Sequence, residues 1–215
     1  MKKHYIHKLI EEGEHQQQDF KFAITDAKKI ARSLTAFANT DGGRLLIGVK
    51  DNGVVAGVRS DEELHMIDAA MQMYTRPKIK CKANTWIVEG KTVVEVIVEK
   101  GNNKPYSAPN ENGKWTVYIR QNDNNILANK LLVKSWRKKK SPHGMFIELE
   151  REHNILIDYL KEHEYITISS FCRKASITLK HAENIIVDLL TIDLIDYKNI
   201  DTKTVYSLKR TNNES

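Results

Sequence analysis

Ala36-Phe37-Ala38-Asn39-Thr40-Asp41-Gly42-Gly43-Arg44-Leu45-Leu46-Ile47-Gly48-Val49-Lys50-Asp51-Asn52-Gly53 runs from a helix through a sharp turn into a strand and out through a second turn. Upstream, Thr25 is placed to cap a helix reaching about Asn39, with Ile30, Leu34 and Phe37 on one face. Thr40-Asp41-Gly42-Gly43 stops it, because two glycines let the backbone turn with positive φ. The apolar run Leu45 to Val49 reads as a buried strand, and Asp51-Asn52-Gly53 as a tight hairpin turn. Further out, a short helix fits 4–12 and a strand fits Gln18 to Ile24. Ser60 and Glu63 suggest a capping box on a helix to about Tyr74. Strands are expected over Lys78 to Trp86, Lys91 to Lys100 and Trp115 to Arg120, then a helix over Ile126 to Trp136. The first part is therefore α+β with mixed strands.

The run Arg137-Lys138-Lys139-Lys140-Ser141-Pro142-His143-Gly144 reads as a linker or exposed helix end, since four adjacent cations repel and Pro and Gly follow. It suggests two domains, 1–140 and 141–215. Beyond it come helices over Ile147 to Lys161, Thr167 to Arg173 and Thr178 to Leu190. Short strands at Leu194 to Tyr197 and Thr204 to Leu208 follow. That order predicts a small winged helix-turn-helix domain.

The chain has 215 residues, with 34 Lys or Arg, 28 Asp or Glu and a net charge of +6. At the 140/141 boundary, 25 basic and 16 acidic residues give +9 to the first part, and 9 and 12 give −3 to the second. A basic first part suggests an anionic partner. Cys81 and Cys172 lie far apart, which excludes a disulfide framework or Cys-rich zinc site. No apolar run approaches the length of a membrane span, and the first residues lack a signal-peptide core, so a cytoplasmic protein is expected.

Three pieces carry a resemblance: Glu14-x4-Asp19-Phe20-Lys21, the 36–43 segment, and Leu46 to Gly53 followed by Gly57. Lys104-Pro105-Tyr106 and Tyr118-Ile119-Arg120 extend it. In order and spacing, over roughly residues 10 to 135, they resemble the Schlafen-like AlbA-type (AlbA_2) domain, once described as a divergent AAA-type ATPase domain. This chain departs by having Asp at 19 for the more usual Glu, and Gln121-Asn122-Asp123-Asn124 where the family has a Gly-Ser pair. A winged helix is a common companion of the domain in bacterial transcriptional regulators.

The resemblance implies three functions. The first is a nucleic-acid-binding protein, a DNA-binding transcriptional regulator working on DNA or RNA, compatible with a homodimer. Lys78, Lys80, Lys82, Lys104 and Arg120 are its candidate contacts in the first part, and Arg173, Lys174, Lys180, His181 and Asn184 in the second. The lysine stripe equally suits a solvated face, and the winged helix equally suits protein contact. The second is a metal-dependent endoribonuclease. Carboxylates at positions resembling Glu14, Asp19 and Asp51 cleave RNA in vertebrate Schlafen members. Three hard oxygen ligands suit Mg²⁺ or Mn²⁺, and Lys21 would sit beside a phosphate. Ordinary roles remain open for all three: strand solvation by Glu14 and Asp19, and a turn at Asp51. The third is ATP binding, which the older family description implies. No GxxxxGK[ST] loop supports it. The Gly42-Gly43 turn offers N–H groups to phosphate or simply ends a helix.

Overall fold

A computed structural model describes residues 5–141, 146–200 and 203–209. The chain divides into two compact units, Met1–Ala128 and Asn129–Ser215.

In the first unit, helix α1 (Tyr5–Glu12) leads to strand β1 (Gln18–Lys21), helix α2 (Ala27–Asn39), strand β2 (Gly43–Ile47) and helix α3 (Asp61–Met73). Strands β3 (Cys81–Val88), β4 (Lys91–Val98), β5 (Ser107–Pro109), β6 (Trp115–Gln121) and β7 (Asn124–Leu127) follow. One sheet has the order β1-β2-β4-β3, with β1 and β2 parallel and the other pairs antiparallel. The second is an antiparallel β5-β6-β7 sheet.

Strand alternation sorts the core. Leu45 and Ile47 of β2 join Val94, Val96 and Val98 of β4 against α2, whereas Leu46 faces the other way with Phe20, Val93, Ile6 and Leu9. The same α2 cluster includes Tyr106, Ala108 and Tyr118, so α2 lies between the two sheets. That is why its burial spreads beyond the expected Ile30, Leu34 and Phe37 to Ala31, Ser33, Thr35, Ala36, Ala38 and Asn39.

Several local expectations are corrected by hydrogen bonds. Asp26 rather than Thr25 caps α2, its carboxylate accepting from the Lys28 N–H at 2.8 Å. Ser60 caps α3 without a side-chain bond. The Glu63 carboxylate reaches past it to the Arg59 N–H at 2.9 Å and across to the Ile24 N–H at 2.9 Å. A buried acid thus fastens the loop before α2 to the start of α3. The stripe at 78–82 is not one strand, because β3 begins at Cys81. β5 and β7 were not expected, being only three and four residues long.

In the second unit, helix α4 (Lys130–Lys139) precedes helix α5 (Arg151–Glu162), strand β8 (Ile166–Thr167), helices α6 (Ile168–Ala175) and α7 (Leu179–Thr191), and strands β9 (Ile195–Ile200) and β10 (Lys203–Leu208). The strands form an antiparallel sheet in the order β8-β10-β9. Leu131, Leu156, Leu160, Phe171, Ile185, Ile186, Leu189 and Tyr206 make its core. Thr167 caps α6 and Thr178 caps α7, with Ser176 in the left-handed region turning the chain between them.

The division between units falls at Ala128/Asn129, ahead of the 140/141 position read from the cation run. Helix α4 carries most of that run and packs through Leu131 into the second core. Pro142, His143 and Gly144 of the expected linker, and His4 of the first helix, lie outside the described residues.

Moving α4 changes the charge balance. The first unit holds 19 basic and 16 acidic residues, and the second 15 and 12, so each carries +3. The contrast of +9 against −3 came from cutting the chain after α4 rather than before it.

Candidate functional site

Parallel pairing of β1 and β2 sets Asp19 opposite Leu45 and fixes the first cluster. Asp19 is 3% exposed. Its carboxylate pairs with Lys21 Nζ at 2.9 Å and Arg120 Nη2 at 3.4 Å, and accepts from Ser33 Oγ at 3.4 Å. Glu14 folds back over the strand and accepts the Phe20 N–H at 2.8 Å. Burial, with a hydrogen bond to Asp19 second, pushes the Glu14 carboxyl above the ordinary carboxylate range. Glu14, Asp19, Lys21 and Arg120 are therefore one cluster.

Asp51 stands apart from it. It is exposed at the start of a turn that the Gly53 N–H closes onto the Lys50 carbonyl at 2.8 Å. Among the described residues, Glu14, Asp19 and Asp51 do not form a group with ligand atoms all within 4.8 Å of one another. The trio expected to hold Mg²⁺ or Mn²⁺ is thus not assembled, and Asp19 already has two cations of the protein beside it.

Arg120 was expected on a nucleic-acid face, but its side chain is 1% exposed. Besides Asp19 it bonds the Gln18 carbonyl at 2.9 Å, the His15 carbonyl at 3.3 Å and Asn125 Oδ1 at 3.2 Å, and its guanidinium lies 5.2 Å from the Phe37 ring centre. Five donors in a planar fork explain how one side chain ties β6 to β1. Lys104 is half-buried and bonds the Thr40 carbonyl at 3.2 Å. Lys78, Lys80 and Lys82 are exposed, as a solvated or ligand-binding set requires.

The 39–43 segment spends its polar groups internally. Asn39 Nδ2 donates to the carbonyls of Tyr106 and Tyr118, both at 2.7 Å, and its Oδ1 accepts the Tyr106 N–H at 2.8 Å. The Gly42 N–H bonds the Phe37 carbonyl at 2.9 Å. With φ of +73°, a Cβ on Gly42 would meet Lys100 N and Val98 O at 2.8 Å. Glycine is needed here for backbone approach to the end of β4. A cleft of about 450 Å³ beside it is lined by His15, Asp41, Arg44 and Lys100 among others. Asp41 there already accepts from Lys100 Nζ at 3.2 Å and Gln16 Nε2 at 3.3 Å.

The raised carboxyl of Glu14 predicts a pH effect. A carboxylate with a folded pKa above its unfolded value weakens the fold once pH rises through that window, and the penalty vanishes below the unfolded pKa. Glu14→Gln keeps an oxygen for the Phe20 N–H and removes the charge facing Asp19. Thermal melts are expected to place the variant above the parent at pH 7 and level with it near pH ~4.

In the second unit, sequence reasoning missed the role of α4, although its signal was present. Lys130, Lys134 and Lys138 recur every fourth residue, so they share a helix face. Lys130 pairs with Glu183 at 2.6 Å and Lys134 with the same carboxylate at 3.4 Å. Lys138 pairs with Asp188, and Lys139 and Lys209 with Asp193. The two lysines hold the Glu183 carboxyl below its ordinary range against the opposing effect of desolvation. Glu183, Asp188, Asp193 and Asp196 would each repel DNA wherever they faced it, and the first three are paired internally. Asp196 accepts the Tyr197 N–H at 2.8 Å. Arg173, Lys174, Lys180 and Asn184 are exposed around the α6–α7 turn, and His181 is half-buried in the first turn of α7.

Comparison with known proteins bears on the first unit. Residues 14–129 match the family described as Schlafen, AlbA_2. The chain belongs to the Schlafen AlbA_2 family. The AlbA_2 match ends where the first compact unit ends, to within one residue. No curated protein matches the chain. Among solved structures, the DIP2311 protein from Corynebacterium diphtheriae is similar at 20% identity and a TM-score of 0.43, over 61% of this chain and 28% of that one. The N-terminal domain of a RecG-related protein from Nitrosomonas europaea is similar at 20% identity and a TM-score of 0.39, over 60% of this chain and 97% of that one. The chain thus spans under a third of the Corynebacterium protein. Among the described residues, no helix is long and apolar enough to cross a membrane.

Proposed function

We propose that this AlbA_2 protein binds nucleic acid and acts as a DNA-binding transcriptional regulator. In this reading residues 141–215 are a winged helix and α7 is its recognition helix. The order α5, β8, α6, α7, β9, β10, with its three-stranded sheet, supports that assignment. One observation carries the functional reading. The α4 lysines pair with Glu183, Asp188 and Asp193, while Arg173, Lys174 and Lys180 stay exposed. The acids that would repel a phosphate backbone are offset, and the cations that would meet it are available. Lys180 and Asn184 lie in the first two turns of α7, where base edges are reached in helix-turn-helix proteins. Exposed Lys78, Lys80 and Lys82 offer a further phosphate track on the first unit.

Gel-shift titration of the full chain with duplex DNA, single-stranded DNA and RNA tests the proposal. Duplex DNA is expected to shift at low salt and to be released as salt rises, and the ladder of bands reports whether one or two copies bind. No shift with any of the three at low salt would end the reading.

The ribonuclease reading has less behind it, since Asp51 stands outside the Glu14–Asp19 cluster. Nucleotide binding lacks a phosphate loop, and the Gly42 N–H is taken by Phe37.

A further inference from the structure

Among the described residues, one group of three potential ligands converges: Glu150, Glu152 and His181, with one ligand atom from each lying within 4.8 Å of the other two. Glu150 is the N-cap residue of α5 and Glu152 lies in its first turn. His181 lies in the first turn of α7, where its own N–H is held by Thr178 Oγ1 at 3.3 Å. Two helix starts, separated in sequence by β8 and α6, are thereby brought to one point.

We propose that Glu150, Glu152 and His181 bind a transition-metal dication of the Zn²⁺ class. Two carboxylate oxygens and one imidazole form a mixed donor set. Such a set favours Zn²⁺ and its borderline neighbours over Mg²⁺, which prefers oxygen alone. Ligands at ~2.1 Å in a tetrahedral site stand ~3.4 Å apart, so the side chains close by at most ~1.4 Å on binding. They are free to do so: among the described residues the ion pairs of this unit run to Asp158, Glu183, Asp188 and Asp193, and none reaches Glu150 or Glu152. Three protein ligands leave the fourth position to water or an exogenous ligand.

The inference is independent of nucleic-acid binding. It has a consequence for it, because a metal here pins His181, a residue expected to face a base edge. Occupancy then changes what the start of α7 presents.

Calorimetric titration of the metal-stripped full chain with Zn²⁺, and separately with Mg²⁺, tests it. One Zn²⁺ per chain is expected to bind at least ~10-fold more tightly than Mg²⁺. His181→Ala and Glu152→Gln, on different helices, are each expected to weaken Zn²⁺ by at least ~10-fold. Glu148→Gln, an exposed acid just outside the group, should leave it unchanged. Circular dichroism of each metal-free variant confirms that it is folded. The proposal is overturned if Zn²⁺ binding is absent, if it survives both ligand substitutions, or if Mg²⁺ binds as well.

Discussion

Arg120→Met is expected to destabilise the first unit by about 3–5 kcal/mol, as removing one partner of a buried ion pair does. The guanidinium is 1% exposed and bonds Asp19, two backbone carbonyls of the β1 region and Asn125. Methionine fills similar volume but leaves those acceptors without donors. Asp19 retains the Ser33 hydroxyl and one cation, Lys21, whose side chain is 34% exposed. In urea, at ~2 kcal/mol per molar, the midpoint should fall by about 2 M. Arg120→Lys should fall between, because an ammonium keeps the charge but cannot fork to several acceptors. If Arg120→Met melts like the parent and loses only nucleic-acid binding, the residue faces solution and the buried placement is wrong.

Asn39→Ala is expected to cost about 3 kcal/mol, since two carbonyls and one N–H lose their partners in a buried setting. Asn39→Asp should be no better. A carboxylate supplies the acceptor for the Tyr106 N–H but confronts the carbonyls of Tyr106 and Tyr118 with more negative charge. Urea unfolding of both variants measures this. A stability equal to the parent would mean that Asn39 is not joining the end of α2 to Tyr106 and to Tyr118 of β6.

These two residues also mark how far the chain could be read. Asn39 and Arg120 both belong to stretches that carry the family resemblance, and Arg120 was expected to contact nucleic acid. Nothing in a linear motif states which way a side chain points once two sheets close over a helix. α2 was expected to have one apolar face, and its small residues Ala31, Ser33, Thr35, Ala36 and Ala38 gave no sign of a second layer. The longer strands were legible because their residues alternate. β5 and β7 were not, because runs this short carry no period. The carboxylate trio failed for a related reason. Glu14 sits five residues before Asp19, just ahead of β1, and locality brings the two together. Asp51 needed a particular turn to swing it inward, and Lys50 to Val54 turns outward instead.

The second unit was legible in element order but not in electrostatics. The cation run ending in Lys140 was read as self-repelling, hence as a linker or an exposed helix end, and it does close helix α4. What the run did not show is that Lys138 meets Asp188 on α7 and Lys139 meets Asp193 just beyond it. A like-charged helix is stable where an opposite face is packed against it, and that pairing is a property of two helices. These pairs, whose lysines are largely exposed, are each worth little to stability. Their importance is that they offset acids that would otherwise repel DNA.

That reversal is the central claim, and its most direct test is the salt dependence of duplex DNA binding by fluorescence anisotropy. The parent should show log affinity falling linearly with log salt. The combined variant Arg173→Ala, Lys174→Ala, Lys180→Ala should lose affinity and flatten the slope by ~2–3, about 0.9 for each phosphate contact removed. A variant whose affinity and slope both match the parent's would contradict the account and place any nucleic-acid contact elsewhere on the chain.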